Sequence, residues 1–112
     1  MIKGSFKRNE TGMIVSFELS GHASAAEYGE DIICAAVSAL TINTVNGIEA
    51  LAGFQPIVDI DEVEEGYMYV ETVFDVNQEQ TNISQILLEN LLLGLQGIQE
   101  KYSDFVQIIT EN

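Results

Sequence analysis

Two reactive side chains that occur once each in this chain, His22 and Cys34, stand twelve positions apart. Cys34 falls near the start of a long apolar pattern with helical spacing, and His22 follows an alternating pattern typical of a strand. A cysteine thiolate is a nucleophile, and an imidazolium beside it favours that charged form. The two side chains are therefore a candidate catalytic dyad, provided that the fold brings them together.

The predicted start of the helix bears on the charge of the thiol. Asp31 is predicted to be the N-cap, which places Cys34 near the third helical residue. A free thiol titrates near pH ~8.5, and a helix N-terminus stabilises an anion by roughly 0.3–1 kcal/mol. One pKa unit corresponds to about 1.36 kcal/mol, so a helix end alone lowers the pKa of a thiol by less than about one unit. Ionisation at neutral pH therefore needs an imidazolium nearby, and His22 is the chain's one histidine.

The same residues also have structural interpretations. A lone cysteine in an apolar helix is commonly an inert core residue, and a lone histidine at a strand end is commonly a surface residue. Asp31 either caps the helix or faces His22. Ser38 lies four residues after Cys34 on the same helix face, where it either bonds to the backbone one turn back or supports the site. Residue type and spacing leave these alternatives open.

Hydrophobic periodicity predicts seven elements in the order ββαββαβ, with a glycine-flanked loop over Gly21–Glu30. In chain order they are strands at 1–8 and 13–20, a helix from Asp31 to a stop at Gly53, strands at 57–61 and 67–74, a helix opening at Gln78 or Thr81 and reaching Tyr102, and a strand at 105–109. Such a mixture in one small domain favours an α+β two-layer sandwich, with helices on one face of a mainly antiparallel sheet.

The two helices have predicted apolar stripes. The first stripe contains Ile33, Val37, Leu40, Thr44, Ile48 and Leu51, and the second contains Ile83, Leu87, Leu91, Leu95, Ile98 and Tyr102. In the second helix Ile86, Leu88, Leu92 and Leu93 widen the apolar surface beyond what one sheet face requires. The extra residues indicate either deeper burial within one subunit or a surface that pairs two subunits.

Length and composition exclude several classes of protein. The chain has 112 residues, enough for one domain with one core, and a net charge of −14. Four basic residues are too few for a phosphate-binding stripe, so we expect no nucleic acid partner. The acidic surface favours a basic partner, or serves solubility alone. One cysteine and one histidine offer no zinc cluster and no internal disulfide, so we expect no metal or other cofactor.

Nothing in the sequence predicts export or a membrane span. The longest uncharged run, residues 32–48, is broken by polar residues and is short for a bilayer. The N-terminus has no apolar segment of the kind that secretory signals carry. We therefore expect a cytoplasmic protein with no membrane partner, in which the lone thiol stays reduced.

The segment around the candidate dyad resembles the Prp family of ribosomal-processing cysteine proteases. The matching residues are Gly21-His22-Ala23, Tyr28-Gly29, Asp31 to Ala36, and Ser38. The helix from Ser84 to Gln96, followed by Tyr102, is also similar to the last helix of that family. The resemblance covers essentially the whole chain, and its specific part is the histidine, the cysteine and the distance between them.

The resemblance implies a cysteine endopeptidase that acts during ribosome maturation. Members remove a short N-terminal extension from large-ribosomal-subunit protein twenty-seven by cleaving after an aromatic residue. By carry-over, Cys34 is the nucleophile and His22 is the general base and acid of an acyl-enzyme mechanism. Backbone N–H groups at the helix start are expected to hold the oxyanion.

The resemblance also implies the surroundings of the dyad. Gly21, Asp31 and Ser38 are expected to support it, and a mobile loop over Ala23–Glu30 is expected to cover the substrate with Ala23, Tyr28 and Gly29. Family members are homodimers, so a homodimer with a basic ribosomal protein substrate is expected. The alternative is a non-catalytic ribosome-associated or protein-binding module in which Cys34 is buried and inert.

Overall fold

The predicted order of elements is confirmed by a computed structural model, which describes residues 1–21, 28–61 and 66–112, and of residues 28–31 the backbone alone. The elements are β1 Ile2–Arg8, β2 Ile14–Ser20, α1 Tyr28–Gly47, a π-helical turn Ile48–Ala52 that continues α1, β3 Ile57–Ile60, β4 Met68–Glu71, α2 Gln78–Lys101 and β5 Val106–Glu111.

The five strands form one mixed sheet in the order β3-β4-β2-β1-β5. The pairs β1–β2, β2–β4 and β3–β4 are antiparallel, and the pair β1–β5 is parallel. Phe6 lies opposite Phe17 in the register, and their stacked rings have centroids 5.1 Å apart. Both rings are buried against the helices, whereas Lys3 and Glu18 on the other face are exposed, so the molecule is the predicted two-layer α+β sandwich.

The helix α1 begins at Tyr28, so the prediction that Asp31 caps it is wrong. Asp31 is the fourth helical residue and Cys34 is the seventh, in the second turn. The prediction took Gly29 as part of a loop, but a glycine inside a helix costs only about 1 kcal/mol relative to alanine. Backbone hydrogen bonding across one more turn therefore outweighs the local preference of aspartate for a cap.

The buried stripe of α1 and its π-helical turn differs in part from the predicted one. Its buried members are Ile33, Val37, Thr41, Thr44, Ile48 and Ala52. Leu40 and Leu51, predicted to be on the stripe, each lie one position before it and are 38% and 65% exposed. Gly53 ends the helix as predicted, with φ +78° and its N–H donated to the carbonyl of Ile48.

The helix α2 starts at Gln78, the first of the two predicted starts, because Asn77 caps it. The Asn77 side chain accepts the N–H of Gln80, and the Gln80 side chain accepts the N–H of Asn77. This reciprocal pair is a capping box. On the same helix the buried leucines are Leu88, Leu91, Leu92 and Leu95, whereas Ile86 and Leu93 are 69% and 66% exposed.

Each of β1 and β2 starts one residue later than predicted, and the other three strands differ from prediction at their last residues as well. β3 stops at Ile60 rather than at 61, and β4 covers 68–71 rather than 67–74. Thr72 still donates its N–H to the carbonyl of Val15, but the chain then bends toward the cap of α2. β5 runs two residues beyond the predicted end at 109, because its parallel pairing with β1 continues to Glu111.

Two side chains of α2, one turn apart, fix the β1–β2 hairpin. The amide of Gln85 accepts the N–H of Ile14 at 2.9 Å and donates to its carbonyl at 2.8 Å. Glu89 forms a two-pronged ion pair with Arg8, at 2.6 and 2.8 Å, and Arg8 also donates to the carbonyl of Gly12. The hairpin is thereby held on the helical layer at the end of the sheet where the β1–β2 turn lies.

The segment Ile32–Ala52 is long and apolar enough to cross a membrane by length and composition. The uncharged run considered in the sequence, residues 32–48, is shorter because it ends before Glu49. A core helix of a soluble protein meets the same criterion. Here Ile33, Val37 and Ile48 of this segment pack into the core.

Candidate active site

A groove of about 200 Å³ lies between α1 and the sheet, and Cys34 lies in its wall. The helix lines it with Cys34, Val37, Ser38, Thr41 and Ile42. The strands line it with Ile2, Leu19, Ile60 and Met68, and Gly21, Gly66 and Tyr67 complete the described lining. The lining is mainly apolar, which suits the burial of an apolar part of a ligand beside the one thiol of the chain.

Three of the helical residues lie on one face of α1. Cys34, Ser38 and Ile42 follow each other at intervals of four, so their side chains form one row along the groove. Cys34 is a free thiol of intermediate exposure that packs against the edge of the core. Ser38 is exposed beside it. The structure therefore brings together Cys34 and the predicted supporting residue Ser38.

Gly21 lies in the same groove and has a conformation that explains its residue type. Its φ is +84°, in the left-handed region that favours glycine. A Cβ atom there would stand 2.1 Å from the carbonyl oxygen of Met1, which belongs to backbone rather than to a flexible side chain. Gly21 therefore sets the path on which the chain leaves β2, immediately before His22 in the sequence.

Several predicted site residues cannot be placed fully. His22 and Ala23 lie outside the described residues. Tyr28, Gly29 and Asp31 lie in the first turn of α1, and their side chains are outside the described part of the chain. The predicted loop over Ala23–Glu30 is therefore wrong at its end, since its last three residues are helical.

Cys34 lies further from the helix start than predicted, and this reduces the effect of the helix end on its thiol. The field of a helix end falls off within the first turn, and Cys34 lies in the second turn. Its backbone N–H is also beyond the first four residues, whose N–H groups lack partners within the helix. The helix start therefore contributes less to a thiolate and to an oxyanion at Cys34 than the sequence predicted.

Tyr67, which lines the groove, is bonded to an acidic side chain that lies on the opposite face of the sheet. The Tyr67 hydroxyl donates a hydrogen bond to Glu18 at 3.1 Å, and that carboxylate raises the pKa of Tyr67 above its ordinary value of 10.0. Among the described residues, no group of three or more histidine, cysteine, aspartate or glutamate side chains is arranged to hold a metal ion.

The far wall of the groove was missed by the sequence prediction. Ile60 and Met68 come from β3 and β4, which were predicted only as strands, and Ile42 lies outside the predicted stripe of the helix. The sequence gives one indication of this wall, because Ile42 and Ile60 are large apolar residues that the predicted core does not include. That indication does not show that the two residues share a groove with Cys34.

The comparisons with known proteins agree with this fold. The family model described as cysteine protease Prp matches residues 1–107. The ribosomal processing cysteine protease Prp of Bacillus subtilis strain 168 is 37% identical over 110 residues, covering 98% of this chain and 97% of the relative.

Two solved structures extend the comparison. One is an essential ribosomal processing protease Prp from Staphylococcus aureus in complex with a substrate peptide. It has a TM-score of 0.86 and 28% identity, and it covers 98% of this chain and 99% of the other. The second is the same kind of protease with a covalently linked product peptide, with a TM-score of 0.83, 31% identity and the same coverage of 98% and 99%. On its sequence and its fold, this chain belongs to the Prp family of cysteine proteases.

Proposed function

We propose that this protein is the endopeptidase that removes the short N-terminal extension of large-ribosomal-subunit protein twenty-seven, with Cys34 as nucleophile and His22 as general base and acid. The observation that carries the proposal is the groove in which Cys34, Ser38 and Gly21 lie together. The family supplies the reaction, since its members are ribosomal processing cysteine proteases.

The proposed reaction proceeds through an acyl-enzyme. The Cys34 thiolate attacks the scissile carbonyl carbon and forms a C–S bond, and the C–N bond breaks as His22 gives its proton to the leaving amine. The neutral imidazole then takes a proton from water, and the resulting hydroxide attacks the thioester. The C–S bond breaks, which restores the thiolate and the imidazolium and releases the new carboxylic acid, and this acid loses its proton to solvent. A covalently linked product peptide in the similar Staphylococcus aureus protease supports such an intermediate.

Two features of the described residues support the nucleophile. Cys34 is of intermediate exposure and lines an open groove, whereas an inert core cysteine has no such access. Gly21 lines the same groove, and His22 is bonded directly to it in the sequence.

The charge of the protein supports a basic substrate. The chain carries 18 acidic and 4 basic residues, which gives −14. Such a charge attracts basic partners at long range and speeds their encounter, most strongly at low salt. A ribosomal protein is a basic partner of this kind, and ribosome maturation places the reaction in the cytoplasm.

A homodimer is the proposed assembly. The exposed side chains of Ile86 and Leu93 lie two turns apart on the outer face of α2, and Leu40 of α1 is 38% exposed in contact with Gly94. Large apolar residues grouped on one helical layer are typical of subunit contacts. Leu93→Lys should give a monomer in sedimentation experiments, and a wild-type protein that already sediments as a monomer would contradict the proposed dimer.

Cleavage of matched substrates tests the function. The purified protein is incubated with protein twenty-seven from the same organism, in one form with the N-terminal extension and in one form beginning at the mature residue. Mass spectrometry should show one cut in the extended form and none in the mature form. Cys34→Ala should abolish the cut and leave the far-ultraviolet circular dichroism unchanged. An uncut extended form would favour the non-catalytic binding module. A normal rate in Cys34→Ala would show that Cys34 is not the nucleophile.

A further inference from the structure

The groove continues well beyond the thiol. From Cys34 to Ile42 is eight residues of α1, and at 1.5 Å per residue this is about 12 Å. An extended peptide advances about 3.3 Å per residue, so the same length accommodates three to four residues of substrate. The far part of the groove is therefore too distant from Cys34 to receive the residue whose carbonyl is attacked.

The walls of this far part are apolar and unusually open. Ile42 lies on the helical side and is 51% exposed, and Ile60 lies on the strand side and is 55% exposed. Both line the groove, and Ile60 lies two strands away from Leu19, with Met68 between them in the register. Thr41 is buried and donates its hydroxyl to the carbonyl of Val37, so it offers the groove its methyl group rather than an unpaired donor. Among the described residues that line this part of the groove none is charged, so it is suited to an apolar side chain.

We propose that Ile42 and Ile60 are specificity-determining residues that bind a large apolar side chain of the substrate two or three residues away from the scissile bond. The proposal rests on the proposed function, because it takes Cys34 as the point of attack. The occupant is the substrate peptide, because the groove that contains the attacking thiol also contains these two side chains. Binding there helps to fix the register in which a peptide presents its bond to Cys34.

The edge strand β3 provides a matched control. Ile57 and Ile60 lie on the same four-residue strand and have similar exposure, 51% and 55%. Ile57 is paired with Glu71, and three positions separate it from Ile60, so its side chain points to the opposite face of the sheet. Ile57→Ala therefore repeats the loss of an exposed isoleucine from β3 without changing the groove.

Peptides that differ at one position test the proposal. A peptide spanning the cleavage site is prepared with leucine, and then with alanine, at each of the four positions on either side of the scissile bond. In wild type and in Ile57→Ala, leucine at one position two or three residues from the bond should raise kcat/KM about tenfold over alanine. In Ile42→Ala and Ile60→Ala that preference should fall to about threefold or less. An undiminished preference at every position in both variants would overturn the proposal.

A binding measurement separates this proposal from the proposed function. The Cys34→Ala protein with labelled isoleucine methyl groups is titrated with the same peptides. The leucine peptide should shift the methyl signals of Ile42 and Ile60 and leave that of Ile57 in place, and the alanine peptide should shift them less. Should the methyl signals shift in this way while no peptide is cleaved by the wild type, the proposed protease function fails and the binding site stands. If the methyl signals of Ile42 and Ile60 do not shift although the wild type cleaves the peptide, the proposed binding site is wrong and the proposed protease function stands.

Discussion

A Cβ atom on Gly21 would lie 2.1 Å from the carbonyl oxygen of Met1, so the first residue of the chain and the last residue before His22 are in direct backbone contact. Together with a φ of +84°, this contact makes position 21 specific for glycine. The contact also fixes the point at which the chain leaves β2 and enters the segment that contains His22.

Gly21→Ala is expected to destabilise the protein by more than Gly12→Ala. Gly12 has a φ of +87° but open space where a Cβ atom would lie, so it isolates the cost of the left-handed conformation, about 1–2 kcal/mol. Gly21→Ala carries that cost and must also displace backbone. Urea denaturation of the two variants measures the difference. Equal losses in the free energy of unfolding would show that the backbone at Met1 moves away without destabilising the fold. Peptide cleavage should fall in Gly21→Ala and be retained in Gly12→Ala.

His22→Ala should slow the alkylation of Cys34 at neutral pH. An imidazolium near the sulfur favours the thiolate, which is the form that reacts. The measurement is the rate of labelling by a small neutral iodoacetamide reagent from pH 6 to 9, with unfolded protein as the control for intrinsic reactivity. Identical rate profiles for wild type and His22→Ala would show that the two side chains do not interact.

The ion pair between Arg8 and Glu89 should make the stability depend on pH. The Arg8 hydrogen bond holds the pKa of Glu89 below its ordinary value of 4.5. Because the folded pKa is the lower one, the pair stabilises the fold above about pH 4.5, and this contribution is lost as the pH falls through the folded value. Urea denaturation between pH 3 and 7 should show that the free energy of unfolding falls less on acidification in Glu89→Gln than in wild type. Glu100→Gln, which changes the net charge equally, should show the same fall as wild type.

Gln85→Leu should cost about 1–3 kcal/mol of stability, because Ile14 is fully buried and its N–H and carbonyl both bond to the Gln85 amide. Leucine keeps most of the volume and removes both partners. Gln96→Leu, at an exposed position of the same helix, is the matched control and should change the free energy of unfolding by less than about 0.5 kcal/mol. A similar small change in Gln85→Leu would mean that water replaces the amide.

Asn77→Ala and Asp31→Ala should differ, since α2 is capped by Asn77 and Asp31 lies inside α1. Loss of the Asn77 cap should cost about 0.5–2 kcal/mol. Asp31→Ala removes no cap, so its loss should be smaller, as measured by thermal unfolding at pH 7. A larger loss in Asp31→Ala would instead assign a structural partner to its carboxylate.

The order of the elements could be predicted because each element carries its own local signal. Alternation between Met13 and Leu19 indicates a strand, the spacing from Ile33 to Ile48 indicates a helix, and Gly53 with Pro56 soon after indicates a stop. These signals depend on neighbours a few residues apart and need no tertiary contact. They failed at the start of α1, where one additional turn of backbone hydrogen bonds extends the helix past the local cap signal of Asp31.

The candidate nucleophile and base could be named from the amino-acid sequence, because Cys34 and His22 each occur once and no other residues offer the same chemistry. What surrounds the thiol became known only from the folded chain. Ile60 lies 26 positions after Cys34 and enters the groove only because β3 pairs with β4, and β4 with β2. Contacts of this kind depend on strand order and register, which are set by the packing of the whole sheet against the helices, and no local pattern in the sequence encodes them.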